Sequence, residues 1–169
     1  MKEYAIILDL DNTLVYSTIK GTIPENNTRE EWDEFLKNNE YYNVKYMEPI
    51  FETIELLEKF YKGFLYYKPK FIFLTAREDT ANGLVRLNTY RFIKNNFSMF
   101  DTPHCYNRDY LLLMRKENDF RTNTEVKEDY LKNYILPNYE PLFAFEDEEE
   151  NVKMFSRNGV VTLKVYNKE

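Results

Sequence analysis

Five short runs of apolar residues punctuate the chain, at Tyr4 to Leu10, Phe71 to Leu74, Tyr110 to Met114, Leu142 to Phe145 and Val160 to Val165. They are nearly continuous rather than alternating, the pattern of strands buried on both faces. Between them the apolar spacing becomes helical. Pro49 to Gly63 carries Ile50, Ile54, Leu57 and Tyr61 on one stripe, with Pro at the first turn and Gly just past the end. Gly83 to Asn95 has Leu84, Leu87 and Phe92, Thr124 to Tyr134 runs toward Pro137, and Glu149 to Arg157 is closed by Asn158-Gly159. After the first strand, a turn near Gly21 to Asn26 precedes the capping box Thr28-Arg-Glu-Glu31, which opens a short helix through Leu36. Arg115 to Asn123 is a polar loop. Strands alternating with helices predict an α/β domain of three layers around a parallel sheet. In such a sheet ligands bind beyond the carboxyl ends of the strands, where Asp9, Thr75, Arg115 and Asp147 all fall.

Composition narrows the classes. A chain of 169 residues with 43% hydrophobic and 17% aromatic content, 4 Gly and 6 Pro is expected to form a single domain, residues 1–169, without linkers or repeats. The first strand starts at once, so no leader sequence is expected, and no apolar run approaches the roughly 18 residues of a membrane span. The single cysteine, Cys105, excludes an intrachain disulfide and suits a reducing cytoplasm. It stands beside His104, the only histidine, and the two cannot make a zinc site alone. A net charge of −6 means that any polynucleotide must bind through a local basic patch. Composition leaves monomer and small homo-oligomer open.

The candidate chemistry lies at strand ends. Asp9 and Asp11 are two apart at the end of the first strand, so their carboxylates leave it on one side, and such a pair normally holds a cation or shares a proton. Thr75 ends the second run and also reads as a helix N-cap. Lys127 lies early in a helix and also reads as a solvated helix lysine. Glu146 and Asp147 end the fourth run.

Asp9-Leu-Asp-Asn-Thr13 resembles the first motif of the haloacid dehalogenase (HAD) superfamily, whose commonest members are magnesium-dependent phosphatases. The later motifs follow in order: Lys70-Phe-Ile-Phe-Leu-Thr75, Lys127 within Thr124-Glu-Val-Lys, and Leu142-Phe-Ala-Phe-Glu-Asp147. The resemblance implies a Rossmann-like sheet of five parallel strands in the order 5-4-1-2-3, with no large cap domain. It implies catalytic roles for Asp9 (nucleophile), Asp11 (general acid and base), Thr75 and Lys127, and a Mg²⁺ site at Asp9, Asp11 and Asp147 supported by Glu146. Asn12, Thr13, Ala76, Arg77, Arg115 and Arg121 are the candidate substrate-binding residues, with the three arginines as the basic patch that grips phosphates and the Thr13 hydroxyl tying the first loop.

The stretches Leu113 to Lys127 and Phe145 to Phe155, with Gly159-Val160, are similar in more detail to the 3′-phosphatase domain of phage-type polynucleotide kinase/phosphatase and related small phage phosphatases. That likeness implies removal of a 3′-phosphate from a nucleic acid end or nucleotide. The chain departs from the group at Asn123, usually an acid, and at Glu146-Asp147, usually Asp-Asp. No Gly-x-x-x-x-Gly-Lys loop is present, so a kinase activity is not expected. A general small-phosphoester phosphatase and a non-catalytic HAD-like binding domain are the alternatives.

Overall fold

The computed structural model describes residues 2–16, 28, 30, 31, 34, 47–64, 68–80, 82–98 and 110–166. Strands β1 (Glu3–Leu8), β4 (Lys70–Glu78), β5 (Tyr110–Arg115), β6 (Tyr139–Glu146) and β7 (Thr162–Lys164) form one sheet, ordered β5-β4-β1-β6-β7. Every pairing is parallel, with Leu8 opposite Phe73 on one side and Phe145 on the other. This is the expected order 5-4-1-2-3, with the first strand central. The architecture is a Rossmann-like three-layer fold, and the described residues form no large cap.

Alternation along β1 divides the core between the two faces. Ile6 and Leu8 point to one side, where they meet Ile54, Leu57 and Tyr61 of helix α1 (Phe51–Gly63) and Val85, Phe92 and Ile93 of helix α2 (Leu84–Asn96). Ala5 and Ile7 point to the other, joined by Ile72, Leu74, Leu131, Ile135, Met154 and Phe155. On this second face lie helix α3 (Asn123–Tyr130), the π-helical turn Leu131–Ile135 that continues it, and helix α4 (Glu149–Arg157).

Four local expectations need correction. Pro49 does not open α1; it pairs with Val15 in a small antiparallel ribbon of β2 (Val15–Tyr16) and β3 (Glu48–Pro49), where a missing N–H is tolerated. Two-residue strands are too short to show a period. Leu84 and Leu87 of α2 are exposed, and the buried stripe runs instead through Val85, Asn88, Thr89, Phe92 and Ile93. The helix expected as far as Tyr134 widens into the π turn after Tyr130, which keeps Leu131 and Ile135 inside. The second strand runs past Leu74 to Glu78. The Glu31 N–H does donate to Thr28 Oγ1, at 3.3 Å. The Gly21 to Asn26 turn, Trp32, Phe35, Leu36, His104 and Cys105 lie outside the described residues. Among the described residues no helix is long and apolar enough to cross a membrane.

Helices α3 and α4 are joined at Glu128, whose carboxylate accepts from Arg157 at 2.6 Å, Lys132 at 2.7 Å and Asn158 at 3.0 Å. Those bonds hold its carboxyl at about 2, below the ordinary 4.5. A depressed carboxyl stabilises the fold above its unfolded value, and the contribution fades as pH falls through the folded one. Glu128→Gln should therefore lower Tm at pH 7 by roughly 2–4 °C, the effect of about 1 kcal/mol in a chain of this size. The gap should close on acidification from about pH 5 toward 2, and an equal gap across that range would deny the carboxylate this role.

Candidate active site

The site is assembled at the carboxyl end of the sheet. Asp9 extends the β1 ladder by one bond, its N–H donating to Phe145 carbonyl oxygen at 3.1 Å. The chain then wraps tightly: the N–H groups of Thr13, Leu14 and Val15 all donate to the Leu10 carbonyl. Asn12 takes the left-handed conformation at φ 59°, which asparagine tolerates better than most residues. Thr13, fully buried, reaches the Asp147 carboxylate through a long 3.5 Å hydrogen bond and ties this loop to the end of β6.

Thr75 does not end its strand. β4 bulges against β5, with Thr75 opposite Met114 but Glu78 opposite Arg115, so Ala76 and Arg77 are pushed out of the ladder. Such a bulge re-aims side chains next to a site. The Thr75 hydroxyl accepts from the Arg77 N–H at 3.1 Å. The Arg77 guanidinium grips the Asp11 carboxylate in a fork, with Nη2 at 2.6 Å and Nε at 2.9 Å, and Nη1 lies 3.7 Å from Met47 Sδ. Its side chain is 1% exposed.

Helix α3 opens with a complete capping box between Thr122 and Glu125, and Lys127 lies on the inner face of its first turns. Lys127 Nζ stands 2.6 Å from Asp9 Oδ1 and 2.7 Å from Glu146 Oε2, all three groups being buried. The other Glu146 oxygen accepts from the Glu148 N–H at 3.3 Å. Asp9, Glu146 and Asp147 each bring a carboxylate oxygen within 4.8 Å of the others.

Three acids thus surround one ammonium. Burial pushes the Asp9 carboxyl up, to about 7, against the pull of Lys127, and repulsion from Glu146 and Asp11 adds to the rise. Burial also raises Glu146 and Asp147. Burial alone would lower Lys127, but Asp9 and Glu146 more than reverse it and hold the ammonium charged. Burial is thus the main cause of the three carboxyl shifts, and the acids that crowd Lys127 are the cause of its rise. A divalent cation supplies the two charges still missing, and hard oxygen donors are what such ions take. Both Glu146 oxygens accept hydrogen bonds, from Lys127 and the Glu148 N–H, and Glu146 stands with Asp9 and Asp147 in the cluster that could hold a cation.

The three arginines expected to form a basic patch are each engaged with the protein itself. Arg115 uses four of its five N–H groups: Nε on Ala76 carbonyl oxygen at 2.9 Å, Nη1 on the carbonyls of Asp119 and Arg121, and Nη2 on Asn123 Oδ1 at 2.8 Å. Arg121 is paired with Asp119 at 2.6 Å and Asp129 at 3.1 Å. The departure at Asn123 is accommodated here, since an amide oxygen serves Arg115 as acceptor. Asn151, which the sequence offers as a first-turn helix residue outside the site, is fully buried and joins the starts of two helices: Thr124 Oγ1 donates to its Oδ1 and its Nδ2 donates to Glu148, both at 2.8 Å. The signal of that burial was its place on the same helical stripe as Met154 and Phe155.

The family model for the polynucleotide kinase PNKP phosphatase domain matches residues 3–169. The chain belongs to that family. It is a HAD-type phosphatase, and HAD phosphatases generally use a divalent metal, for which the acidic cluster offers a place. No curated protein matches it. Two solved structures are similar in fold: the Pnkp1/Rnl/Hen1 RNA repair complex, with a TM-score of 0.66, and a further Pnkp1/Rnl/Hen1 complex, at 0.64. Each is 24% identical over 97% of this chain, which spans 42% and 46% of those chains. At that identity the likeness concerns the fold.

Proposed function

We propose that this phosphatase removes the 3′-phosphate from a nucleic acid end or nucleotide through an aspartyl-phosphate on Asp9, with Mg²⁺ as cofactor. The observation that carries the reading is the buried contact of Lys127 with Asp9 and Glu146 beside Asp147, at the strand ends of a chain in the PNKP phosphatase family.

Asp9 attacks phosphorus in line with the leaving oxygen; the Asp9 O–P bond forms as the bond to the ribose oxygen breaks. Asp11 gives its proton to that oxygen, then takes one from the water that cleaves the acyl-phosphate, returning Asp9 and releasing inorganic phosphate. The Arg77 fork sets the direction of Asp11. Lys127 and the Thr75 hydroxyl hold phosphoryl oxygens where negative charge gathers. Asp9, Asp147 and the Asp11 carbonyl would hold Mg²⁺, which when bound neutralises charge on the phosphoryl oxygens. Glu146 supports the centre by orienting Lys127. Arg115 acts as a positioning residue, binding the backbone beside Thr75 to the start of the helix that carries Lys127.

The test is a substrate panel: 3′- and 5′-phosphorylated RNA and DNA oligonucleotides, 3′-mononucleotides and sugar phosphates. Phosphate release is expected from 3′ ends, and a 3′-phosphorylated dinucleotide should react nearly as well as a long oligonucleotide. RNA is included because the similar structures are of RNA repair complexes. Activity should fall to background in EDTA, return with Mg²⁺ and fail with Ca²⁺, whose larger, looser coordination misplaces Asp9. Full turnover in EDTA would exclude the cation site. Rapid hydrolysis of sugar phosphates with untouched 3′ ends would make the protein a general phosphoester phosphatase.

A further inference from the structure

Beyond β5 the chain forms a short loop on the same rim as Asp9 and Thr75. Phe120 stands at its apex with 81% of its surface exposed. Single exposed apolar residues are common and need no explanation by themselves. This one differs in how its backbone is mounted. Its two neighbours, Asp119 and Arg121, both give their carbonyls to Arg115 Nη1, while Nε of the same guanidinium holds Ala76, the residue after Thr75. The Asn118 N–H donates to Glu78 at 2.6 Å, and Thr80 donates to Glu117 at 2.9 Å, so the loop is stitched to the β4 bulge from both sides. A phenyl ring is thereby held in water on a mount tied to the backbone that follows Thr75.

Charge points the same way. The chain carries a net charge of −6, and the rim arginines Arg77, Arg115 and Arg121 are all bonded to the protein. A contact that is not ionic would be one way for such a surface to tell a nucleotide end from other phosphomonoesters. Aromatic rings stack on any nucleobase without regard to sequence, and Phe has only two side-chain torsions to immobilise.

We infer that Phe120 is the stacking platform for the base of the 3′-terminal nucleotide, an inference that rests on the function proposed above. It makes Phe120 a specificity residue, outside the chemistry.

The experiment compares a 3′-phosphorylated dinucleotide with the same molecule lacking the terminal base, using wild type, Phe120→Ala and Phe120→Trp. Phe120→Ala should raise KM for the base-bearing end roughly tenfold or more, the usual effect of losing one aromatic stack. Its kcat, its KM for the abasic end and its Tm should match wild type, and Phe120→Trp should restore the low KM. The KM ratio between wild type and Phe120→Ala should also stay constant between about 50 and 200 mM salt, since stacking releases no counterions. An unchanged KM for the base-bearing end in Phe120→Ala would overturn the platform while leaving 3′-phosphatase activity standing. A wild type that spares every 3′-phosphate yet hydrolyses sugar phosphates would overturn the functional reading, and the platform with it.

Discussion

Asp9→Asn should reduce phosphate release to background while the protein stays folded. The amide has nearly the shape of the carboxylate, and its oxygen can still accept from Lys127, which now stands 2.6 Å from Asp9 Oδ1. What it cannot do is form an acyl-phosphate, so acid quenching during turnover should trap phosphorus on the wild-type chain and none on the variant. Asp11→Asn is the informative companion. It should lose roughly 10²–10⁴-fold, the usual share of general acid–base catalysis, and lose least where the leaving group needs no proton. Retention of a tenth or more of wild-type activity by well-folded Asp9→Asn would rule out the covalent route.

Lys127→Met should have the largest effect on stability. It removes the ammonium that faces both Asp9 and Glu146, which are 5% and 1% exposed. Breaking a buried pair by deleting one partner costs about 3–5 kcal/mol, because the remaining charge is left without compensation. In a chain of this length that is a fall in Tm of roughly 6–20 °C. Adding Glu146→Gln to Lys127→Met should recover part of the loss, since one uncompensated acid is then gone, while catalysis stays absent in both. Thermal unfolding of the metal-free proteins measures this. A Lys127→Met protein melting within about 1 °C of wild type would mean that the ammonium does not balance these acids.

The sheet was legible because its signal is local and strong. Ile6 to Leu8, Phe71 to Leu74 and Ala144-Phe145 are apolar whichever way they face, as strands covered on two sides must be. The acids were legible through spacing and position, as Asp9, Asp11 and Asp147 sit at the ends of those runs. Less legible was which partner each charged group selects. The contact of Arg77 with Asp11 depends on the bulge at Ala76, and a bulge leaves no periodic trace in one strand. Arg115 has the same charge as Arg121, yet one binds three backbone carbonyls on two segments and the other two nearby carboxylates. The ribbon of Val15 and Pro49 joins residues more than thirty positions apart through two pairs, which no local pattern announces.

The fastening of the β5–α3 loop to Arg115, Glu78 and Thr80 has an evolutionary consequence. The proposed nucleophile, acid, lysine and cation-facing carboxylates lie on or just beyond β1, α3 and β6, whereas residues 116–121 are fastened by the carbonyls of Asp119 and Arg121, the Asn118 N–H and the Glu117 carboxylate, none of which is the Phe120 side chain. Substitutions at the apex can therefore drift without disturbing bond-making, provided that Arg115 and its acceptors persist. Relatives sharing the same reaction centre are free to diverge here in the strand ends they accept, and a library confined to this apex would change selectivity while leaving the catalytic step intact.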